Sequence, residues 1–386
     1  MLSLLSHRFF LFAGLILCFV LPNVNAANNG ILIPKPPVIA ASSYILEDFN
    51  SGRILAEKDA DKRLAPASLT KIMTAYVIYR ELASGHLTLN DPVMISQKAW
   101  QTQGSKMFVE VGKQVRLEDL LKGMIIQSGN DASVALAEHV GGNEDSFAIM
   151  MNQHAQRLGM TNSHFQNSMG LPTLNHYTTA RDLSKLTHAL IAEFPQYYRW
   201  DAQKEFTYNK ITQQNRNKLL WRDKSVDGVK TGFTDDAGYC MVASAKREEM
   251  RLVAVVMGTA SPEARADESQ ALLNYGFHFY ETVKLYTGNT PRKEVRVWGG
   301  KSKVLPLGLA RDLYVTIPRR HYNDLKAVMS FNKDIIAPIS KGKRYGTVSV
   351  SLAGQPVAEL PLVALKDVEA GNFIQRFYDK IARMTE

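Results

Sequence analysis

The order of the strand and helix patterns limits the possible folds of this chain more than any other feature. Two β-rich runs, 42–48 and 53–58, flank an Asn-Ser-Gly turn that is typical of a hairpin. Helical patterns fill much of 68–158, β-rich runs return after residue 223, and a helical pattern covers 263–285. This order predicts an antiparallel sheet flanked by helices, in which the first and last strands are neighbours.

The C-terminal part of the chain has a different pattern. Alternating strand-like segments with Gly and Pro between them begin near residue 289 and predict a small all-β domain, so the fold class is α+β. The last stretch, 371–386, repeats apolar residues at helical spacing: Phe373, Ile374, Phe377, Ile381 and Met384. Cations at its other positions are typical of an amphipathic helix in an anionic membrane surface. The alternative is a terminal helix that docks on the β domain.

The start of the chain has the pattern of an export signal. The basic pair His7-Arg8 precedes an apolar run over 9–21, and 24–26 (Val-Asn-Ala) offers small residues for cleavage. This run of about 13 residues is shorter than the roughly 20 that a membrane-spanning helix needs. We therefore predict four segments: a signal peptide at 1–26, a first domain at 27–288, an all-β domain at 289–370 and an amphipathic membrane-anchoring helix at 371–386.

Charge and cysteine content exclude several classes of function. The net charge of +9 comes without a long Lys/Arg run or a recognition motif, so we predict no nucleic-acid partner. Cleavage of the signal removes Cys18 and leaves Cys240 alone, which excludes an intramolecular disulfide. Cys240 lies in an apolar run and is predicted to be a core residue. The histidines form no His-Glu-x-x-His motif, so we predict neither a metal nor another cofactor.

The first of three short motifs pairs a nucleophile with a base. Ser68 and Lys71 lie three residues apart at the start of a helical pattern, so they share one face of the helix. A serine hydroxyl needs a base that takes its proton, and a lysine that is desolvated near other cations supplies one. The same spacing recurs at Ser330 and Ser340 in the β-rich region, so the motif alone is not specific.

The second motif is Ser128-Gly129-Asn130, between two helical segments. Its hydroxyl is suited to relay a proton to a leaving nitrogen, and its amide is suited to bind a substrate carbonyl. A helix–helix turn explains the same three residue types without any function.

The third motif, Lys230-Thr231-Gly232, ends a β-like run. A lysine and a hydroxyl at such an edge bind a carboxylate, and the glycine admits the substrate backbone. A strand end with a solvated lysine is the alternative. About 60 and about 100 residues separate the motifs, so three different elements must supply the parts of one acyl-transfer site.

The three motifs resemble those of the serine penicillin-recognising enzymes, which are Ser-x-x-Lys, Ser-x-Asn and Lys-Thr-Gly. Their flanking residues narrow the likeness to the D-alanyl-D-alanine carboxypeptidases, which are low-molecular-mass penicillin-binding proteins. The segments that carry this likeness are 65–74, 127–132, 215–221 and 226–232. The likeness extends from about residue 38 to the end of the chain and includes the β domain and the terminal helix.

The resemblance implies a penicillin-binding-protein-like serine D,D-peptidase domain and a role for each motif residue. Ser68 is then the acylated nucleophile and Lys71 its base. Ser128 and Asn130 take the proton-relay and carbonyl-binding roles. The backbone N–H groups of Ser68 and Phe233 form the oxyanion hole.

The resemblance also implies a binding site for the substrate carboxylate. Lys230 and Thr231 then face the carboxylate of the terminal D-alanine. Arg265 matches an arginine near that carboxylate and Arg216 one near the second-motif serine, although a structural ion pair explains either arginine equally well. Phe233 departs from members with histidine at this position, which leaves the backbone N–H in place.

The activity implied by the resemblance is removal of the terminal D-alanine from peptidoglycan stem pentapeptides, with β-lactams acylating the same serine. The enzyme would act in cell wall biogenesis and cell shape at the periplasmic face of the bacterial inner membrane. A β-lactamase is an alternative, but no Glu-x-x-Leu-Asn segment lies between Ser128 and Lys230. A D,D-endopeptidase remains open, whereas intact Lys71 and Lys230 disfavour a non-catalytic wall-binding protein.

Overall fold

The computed structural model describes residues 33–385, so the predicted signal peptide lies outside the described residues. We number strands and helices in chain order. The strands are β1 (Ser43–Asp48), β2 (Ile54–Lys58), β3 (Pro92–Met94), β4 (Gln114–Arg116), β5 (Glu205–Tyr208), β6 (Ile211–Gln214), β7 (Val226–Thr234), β8 (Gly238–Arg247), β9 (Met250–Thr259), β10 (Tyr280–Tyr286), β11 (Lys293–Trp298), β12 (Val304–Gly308), β13 (Leu313–Pro318), β14 (Leu325–Phe331), β15 (Ile335–Ile336), β16 (Arg344–Leu352) and β17 (Gln355–Ala364). The helices are α1 (Thr70–Ala83), α2 (Gln97–Gln101), α3 (Leu117–Ile126), α4 (Asn130–Gly141), α5 (Glu144–Arg157), α6 (Ala180–Glu193), α7 (Pro195–Tyr198), α8 (Leu219–Arg222), α9 (Pro262–Phe279) and α10 (Phe373–Thr385).

A five-stranded antiparallel sheet in the order β2-β1-β9-β8-β7 forms the centre of the first domain. β1 and β2 form the predicted hairpin. β1 also pairs with β9 along its whole length, from Ser43 opposite Met257 to Asp48 opposite Leu252. The predicted α+β fold, with early and late strands as neighbours, is confirmed.

Both faces of this sheet are covered, because successive residues of a strand point to opposite faces. Ile45 and Val255 belong to the core that includes α1 and α3–α6, whereas Leu46 and Val256 belong to the core beneath α9. Cys240 lies fully buried in the first of these cores, as predicted. Two buried layers therefore hold the sheet, and the motif-bearing helices lie on one side of it.

The predicted helix over 263–285 is wrong in its last part. α9 ends at Phe279, and Tyr280 begins β10, which pairs with β13. Tyr280 and Thr282 are buried while the residue between them is partly exposed, which is the two-residue period of a strand. Thr282 Oγ1 also donates a 2.6 Å hydrogen bond to Asp48 Oδ2 at the end of β1. This contact across the chain favours a strand over a continued helix.

The C-terminal part is rich in β-structure, as predicted. A six-stranded sheet has the order β14-β16-β17-β12-β11-β15, and β10 and β13 form a separate pair. The sequence pattern marks β11, β12, β13 and β16 but not β14, β15 or β17. β17 contains Pro356 and Pro361, and proline argues against a strand when only the sequence is available.

The terminal helix α10 docks on the β domain through polar residues. Asp379 accepts hydrogen bonds from Gly299 N at 2.5 Å and from Lys303 Nζ at 2.6 Å, and Arg383 Nε donates to Asp334 at 2.7 Å. The apolar side chains of α10 are exposed instead: Phe373, Ile374, Phe377, Tyr378, Ile381 and Met384. Among residues 33–385, no helix has both the length and the apolar character needed to cross a membrane.

Candidate active site

Ser68 lies in a single turn of 3₁₀-helix, Ala67–Leu69, directly before α1. Lys71 follows in the first turn of α1, and its Nζ donates to Ser68 Oγ at 3.0 Å. The same Nζ donates to Asn130 Oδ1 at 2.7 Å and to Met169 O at 2.8 Å. Three acceptors from three segments therefore fix the amine next to the serine hydroxyl.

The surroundings of Lys71 favour its neutral form. Burial holds the pKa of Lys71 well below its usual range, and the positive charges of Lys230 and Arg216 lower this pKa further. The carboxylate of Asp131 acts in the opposite direction. The neutral amine has two hydrogens, which Asn130 Oδ1 and Met169 O accept, so its lone pair is left to accept the proton of the Ser68 hydroxyl.

Ser128 and Asn130 lie where α3 gives way to α4, as the sequence predicts. Ser128 has a φ of +64°, and its buried Oγ has no hydrogen-bond partner within the described residues. Asn130 begins α4, and its Nδ2 donates to Gln103 O at 2.6 Å while its Oδ1 accepts from Lys71. Asn130 therefore links the first motif to the 103–109 loop, and Ser128 is left free to bind a ligand.

The third motif lies inside β7, which continues to Thr234, and does not end the strand as predicted. Lys230 is buried, and its Nζ donates to Thr231 O at 3.0 Å. Burial, together with Arg216 and Arg265, lowers the pKa of Lys230 to about 7. The strand runs on because β8 pairs with it as far as Thr234.

Gly232 allows β7 to lie against the Ser68 turn. A Cβ at Gly232 would lie 3.2 Å from Ser68 N, from Ala67 Cβ and from Pro66 O. Such distances are tighter than ordinary van der Waals contact, so a side chain here would push the strand away from the nucleophile.

The remaining predicted residues surround the edge of β7. Arg265 Nη1 donates to Gly232 O at 3.0 Å, and its buried Nε has no partner among residues 33–385. Arg216 is exposed and its Nε donates to Gln127 O at 3.3 Å. Phe233 is 47% exposed and stacks on Tyr239, with ring centres 4.2 Å apart. Within the part of the chain that the structure describes, neither arginine has a carboxylate within ion-pair distance, and an ion pair was the alternative explanation.

A cleft with a volume of about 750 Å³ brings these groups together. Residues from the sequence prediction that line it are Ser68, Ser128, Arg216, Thr231, Gly232, Phe233 and Arg265. Lys71, Asn130 and Lys230 are buried beneath them. Sequence reasoning assigned no site role to the other lining residues, although three of them (Asn215, Lys218 and Trp221) lie in the 215–221 segment of the likeness. The others are Ser105, Gln214, Arg222, Tyr239 and Pro262. In the part of the chain described, no three His, Cys, Asp or Glu side chains are grouped so as to hold a metal.

Comparison with known proteins assigns this geometry to a family. A family model described as D-alanyl-D-alanine carboxypeptidase matches residues 31–261, more than half of the chain. The chain belongs to the D-alanyl-D-alanine carboxypeptidase family. A second model, described as penicillin-binding protein 5, C-terminal domain, matches residues 280–370 of this carboxypeptidase.

Individual relatives agree with the family models. D-alanyl-D-alanine carboxypeptidase DacA of Escherichia coli (strain K12) is 43% identical over 361 residues, which cover 92% of this chain and 90% of that protein. The crystal structure of penicillin binding protein 5 from Haemophilus influenzae has a TM-score of 0.83 and 41% identity, covering 87% of this chain and 99% of that chain. Penicillin-Binding Protein D2 from Listeria monocytogenes in its ampicillin-bound form has a TM-score of 0.59 and 27% identity, covering 63% of this chain and 100% of that chain. The resemblance stated from the motifs is confirmed.

Two contacts of this carboxypeptidase site leave no signal in the sequence. Met169 O and Gln103 O accept from Lys71 and Asn130, and both acceptors are main-chain carbonyls. Every residue type carries such a carbonyl, so sequence reasoning has no means to select these two positions.

Proposed function

We propose that the chain removes the terminal D-alanine from peptidoglycan stem pentapeptides through an ester formed on Ser68. The contact of 3.0 Å between Lys71 Nζ and Ser68 Oγ, beside a cleft that also holds Ser128 and Arg265, carries this proposal. Because Lys71 is buried among cations, it accepts the serine proton at neutral pH as the hydroxyl attacks.

The acylation step forms a bond from Ser68 Oγ to the carbonyl carbon of the penultimate D-alanine. The N–H groups of Ser68 and Phe233 are the proposed donors to the oxyanion. The close approach of β7 to the serine turn at Gly232 supports this assignment, because it keeps both N–H groups at one edge of the cleft.

Two cations and a hydroxyl group are placed to bind the carboxylate of the terminal D-alanine. Thr231 and Arg265 line the cleft, and Lys230 lies beneath them. The unpartnered Nε of Arg265 supports this role, since a buried guanidinium N–H without an acceptor is costly until a ligand supplies one.

The leaving nitrogen needs a proton before the C–N bond breaks. Ser128 Oγ is the proposed relay from the protonated Lys71, and it has no competing partner within 33–385. Asn130 holds Lys71 through its Oδ1, and the second hydrogen of its amide group remains for a substrate carbonyl. Water then hydrolyses the ester, and a β-lactam ring opened by Ser68 forms the corresponding ester.

The decisive experiment is release of D-alanine from a pentapeptide that ends in D-Ala-D-Ala. Protein lacking residues 1–26 should release D-alanine and bind labelled penicillin covalently, and Ser68→Ala should do neither. Equal release by Ser68→Ala refutes the proposal. A cross-linked peptide dimer assayed in parallel distinguishes a carboxypeptidase from an endopeptidase.

The proposal includes export and attachment to the periplasmic face of the inner membrane through α10. The row of exposed apolar side chains on α10, opposite its docked polar residues, supports attachment. Deletion of 371–386 should move the protein from the membrane fraction to the soluble fraction. N-terminal sequencing of the membrane-bound form tests cleavage after Ala26, and retention of the signal would contradict that part.

A further inference from the structure

Asp201 is a buried carboxyl group behind the cleft that belongs to none of the sequence motifs. It lies in the turn after α7 and is 5% exposed. Its backbone N–H donates to Tyr198 O, and its carbonyl accepts from Asn215 Nδ2 at 3.3 Å. Within the described residues no side chain donates a hydrogen bond to its carboxyl oxygens, to which only its own backbone N–H contributes one. Burial and the negative charge of Asp227 raise the pKa of Asp201 well above its usual range, while the positive charge of Lys230 opposes that rise.

A narrow chamber brings this carboxyl group together with both motif lysines. Its lining consists of Lys71, Lys230 and Asp201 and the apolar residues Ile72, Ala75, Ile125, Leu190 and Val229. The volume is about 10 Å³, close to the minimum for a single water molecule. With apolar walls and so little room for solvent, charges in the chamber act on one another with weak screening.

The cleft concentrates positive charge in front of this chamber. In addition to burial, Lys230 and Arg216 lower the pKa of Lys71. Burial, Arg216 and Arg265 lower the pKa of Lys230, and burial and Arg216 also lower the pKa of Arg265. Asp131, the carboxylate of the second-motif region, accepts from the N–H groups of Met107 and Phe108 and so fixes a loop. Asp201 remains as a carboxyl group that acts on Lys230 from behind.

We infer that Asp201 is a positioning residue that compensates the charge of Lys230 from the side remote from substrate. The inference rests on the proposed role of Lys230 in binding the substrate carboxylate. The ammonium group of Lys230 favours the ionised form of Asp201 against the effects of burial and Asp227. Ionised Asp201 in turn stabilises that ammonium group, so Lys230 keeps its proton and remains a cation for the incoming carboxylate. The titratable groups that face Asp201 are Lys71 and Tyr79 from α1, Tyr198 from α7, and Asp227 and Lys230 from β7.

Among these neighbours, Lys230 is the cation whose charge favours ionised Asp201. Asp227 is already paired with Arg251, with Nη2 to Oδ2 at 2.7 Å, and accepts from Tyr198 Oη. Burial raises the pKa values of Tyr79 and Tyr198 well above 10, so both phenols stay neutral through the working range. Asp201 and Lys230 therefore titrate as a coupled pair.

The pH dependence of kcat/KM for D-alanine release tests the inference. On the acid limb of the profile, activity falls with decreasing pH because Lys71 becomes protonated. On the basic limb, activity falls with increasing pH because Lys230 loses its proton. Asp201→Asn removes the negative charge at nearly constant shape, so the proton on Lys230 becomes less stable and the basic limb should move about one pH unit lower. A basic limb that coincides with that of the wild type overturns the inference.

Asp182→Asn is the matched control. Asp182 is 2% exposed, accepts from Asn162 N and Ser163 Oγ, and does not line the cleft. Asp182→Asn should reduce the stability of the fold without shifting either limb of the pH profile. If it shifts the basic limb as far as Asp201→Asn does, the effect of Asp201 is only structural and the inference is overturned. If the wild type releases no D-alanine at all, the proposed function itself fails, which is a separate result.

A measurement on the unmodified protein covers the case in which Asp201→Asn does not fold. Carboxyl ¹³C NMR, with Asp201 assigned through its backbone, reports the ionisation of that group directly. Ionisation of Asp201 at a pH below the basic limb supports the inference. A carboxyl that stays protonated throughout the basic limb overturns it.

Discussion

At the scale of single residues, the proposed chemistry depends on a lysine that gives up its proton at neutral pH. Lys71→Arg keeps the positive charge near Ser68 but places there a guanidinium that does not deprotonate. We therefore expect penicillin acylation and D-alanine release to fall by at least about 100-fold at every pH. Lys122→Arg on α3, where the lysine pairs with Glu118, is the control. Acylation by Lys71→Arg at the wild-type rate would show that another group is the base.

Replacement of Lys230 should change activity and stability in opposite directions. Its pKa is about 7 in the folded chain and 10.5 in the unfolded chain, so between these values the unfolded chain binds more protons. The cost of burying Lys230 is therefore fully present below pH 7 and disappears as the pH rises to 10.5. Lys230→Met should lose D-alanine release and unfold at a higher temperature than the wild type, with a larger difference at pH 6 than at pH 10. A difference that does not vary with pH would contradict the lowered pKa.

At the scale of elements, the turn that carries Ser68 is held by the 167–171 segment. Gly170 has a φ of +92°, and a Cβ there would overlap the carbonyl oxygen of Ala67. Gly170→Ala should therefore displace the turn, slow acylation and reduce the free energy of unfolding by at least about 2 kcal/mol. Gly159→Ala is the control that measures only the cost of placing alanine at a positive φ. Gly159 has a φ of +68°, and no atom lies within 4 Å of its Cβ position. Equal losses in both variants, measured by urea unfolding, would rule out the overlap as a cause.

The elements also show what the sequence was able to predict. Ser68, Ser128 and Lys230 lie on the predicted helix start, helix–helix turn and strand, because capping, turn chemistry and periodicity are local properties. The 280–286 strand was predicted as helix, since its pairing with β13 is a long-range contact. Asp201 left no signal because its burial behind Lys230 results from long-range contacts with residues of α1, α3, α6 and β7, which line the same chamber.

At the scale of the whole molecule, α10 combines two surfaces that face in different directions. Asp379 and Arg383 attach it to the β domain, so the helix has a fixed place on the molecule. The opposite side exposes a row of large apolar side chains, with Phe373 82% and Met384 81% exposed. Such a row is unfavourable in water and becomes favourable in the interface of a lipid bilayer. The docked helix and the membrane-anchoring helix are therefore compatible descriptions of the same element.

The membrane prediction is tested most directly by changing only the outward side of α10. Burial of each large apolar side chain contributes about 1.5–3 kcal/mol, so Ile374→Asp combined with Phe377→Asp should weaken binding to anionic phospholipid vesicles by at least about 100-fold. D-alanine release from a soluble peptide should not change, because neither residue touches the cleft. Ile149→Asp on α5 is the control, since Ile149 is also exposed, at 60%. Vesicle binding of the double variant at the wild-type level would show that another part of the chain attaches it to the membrane.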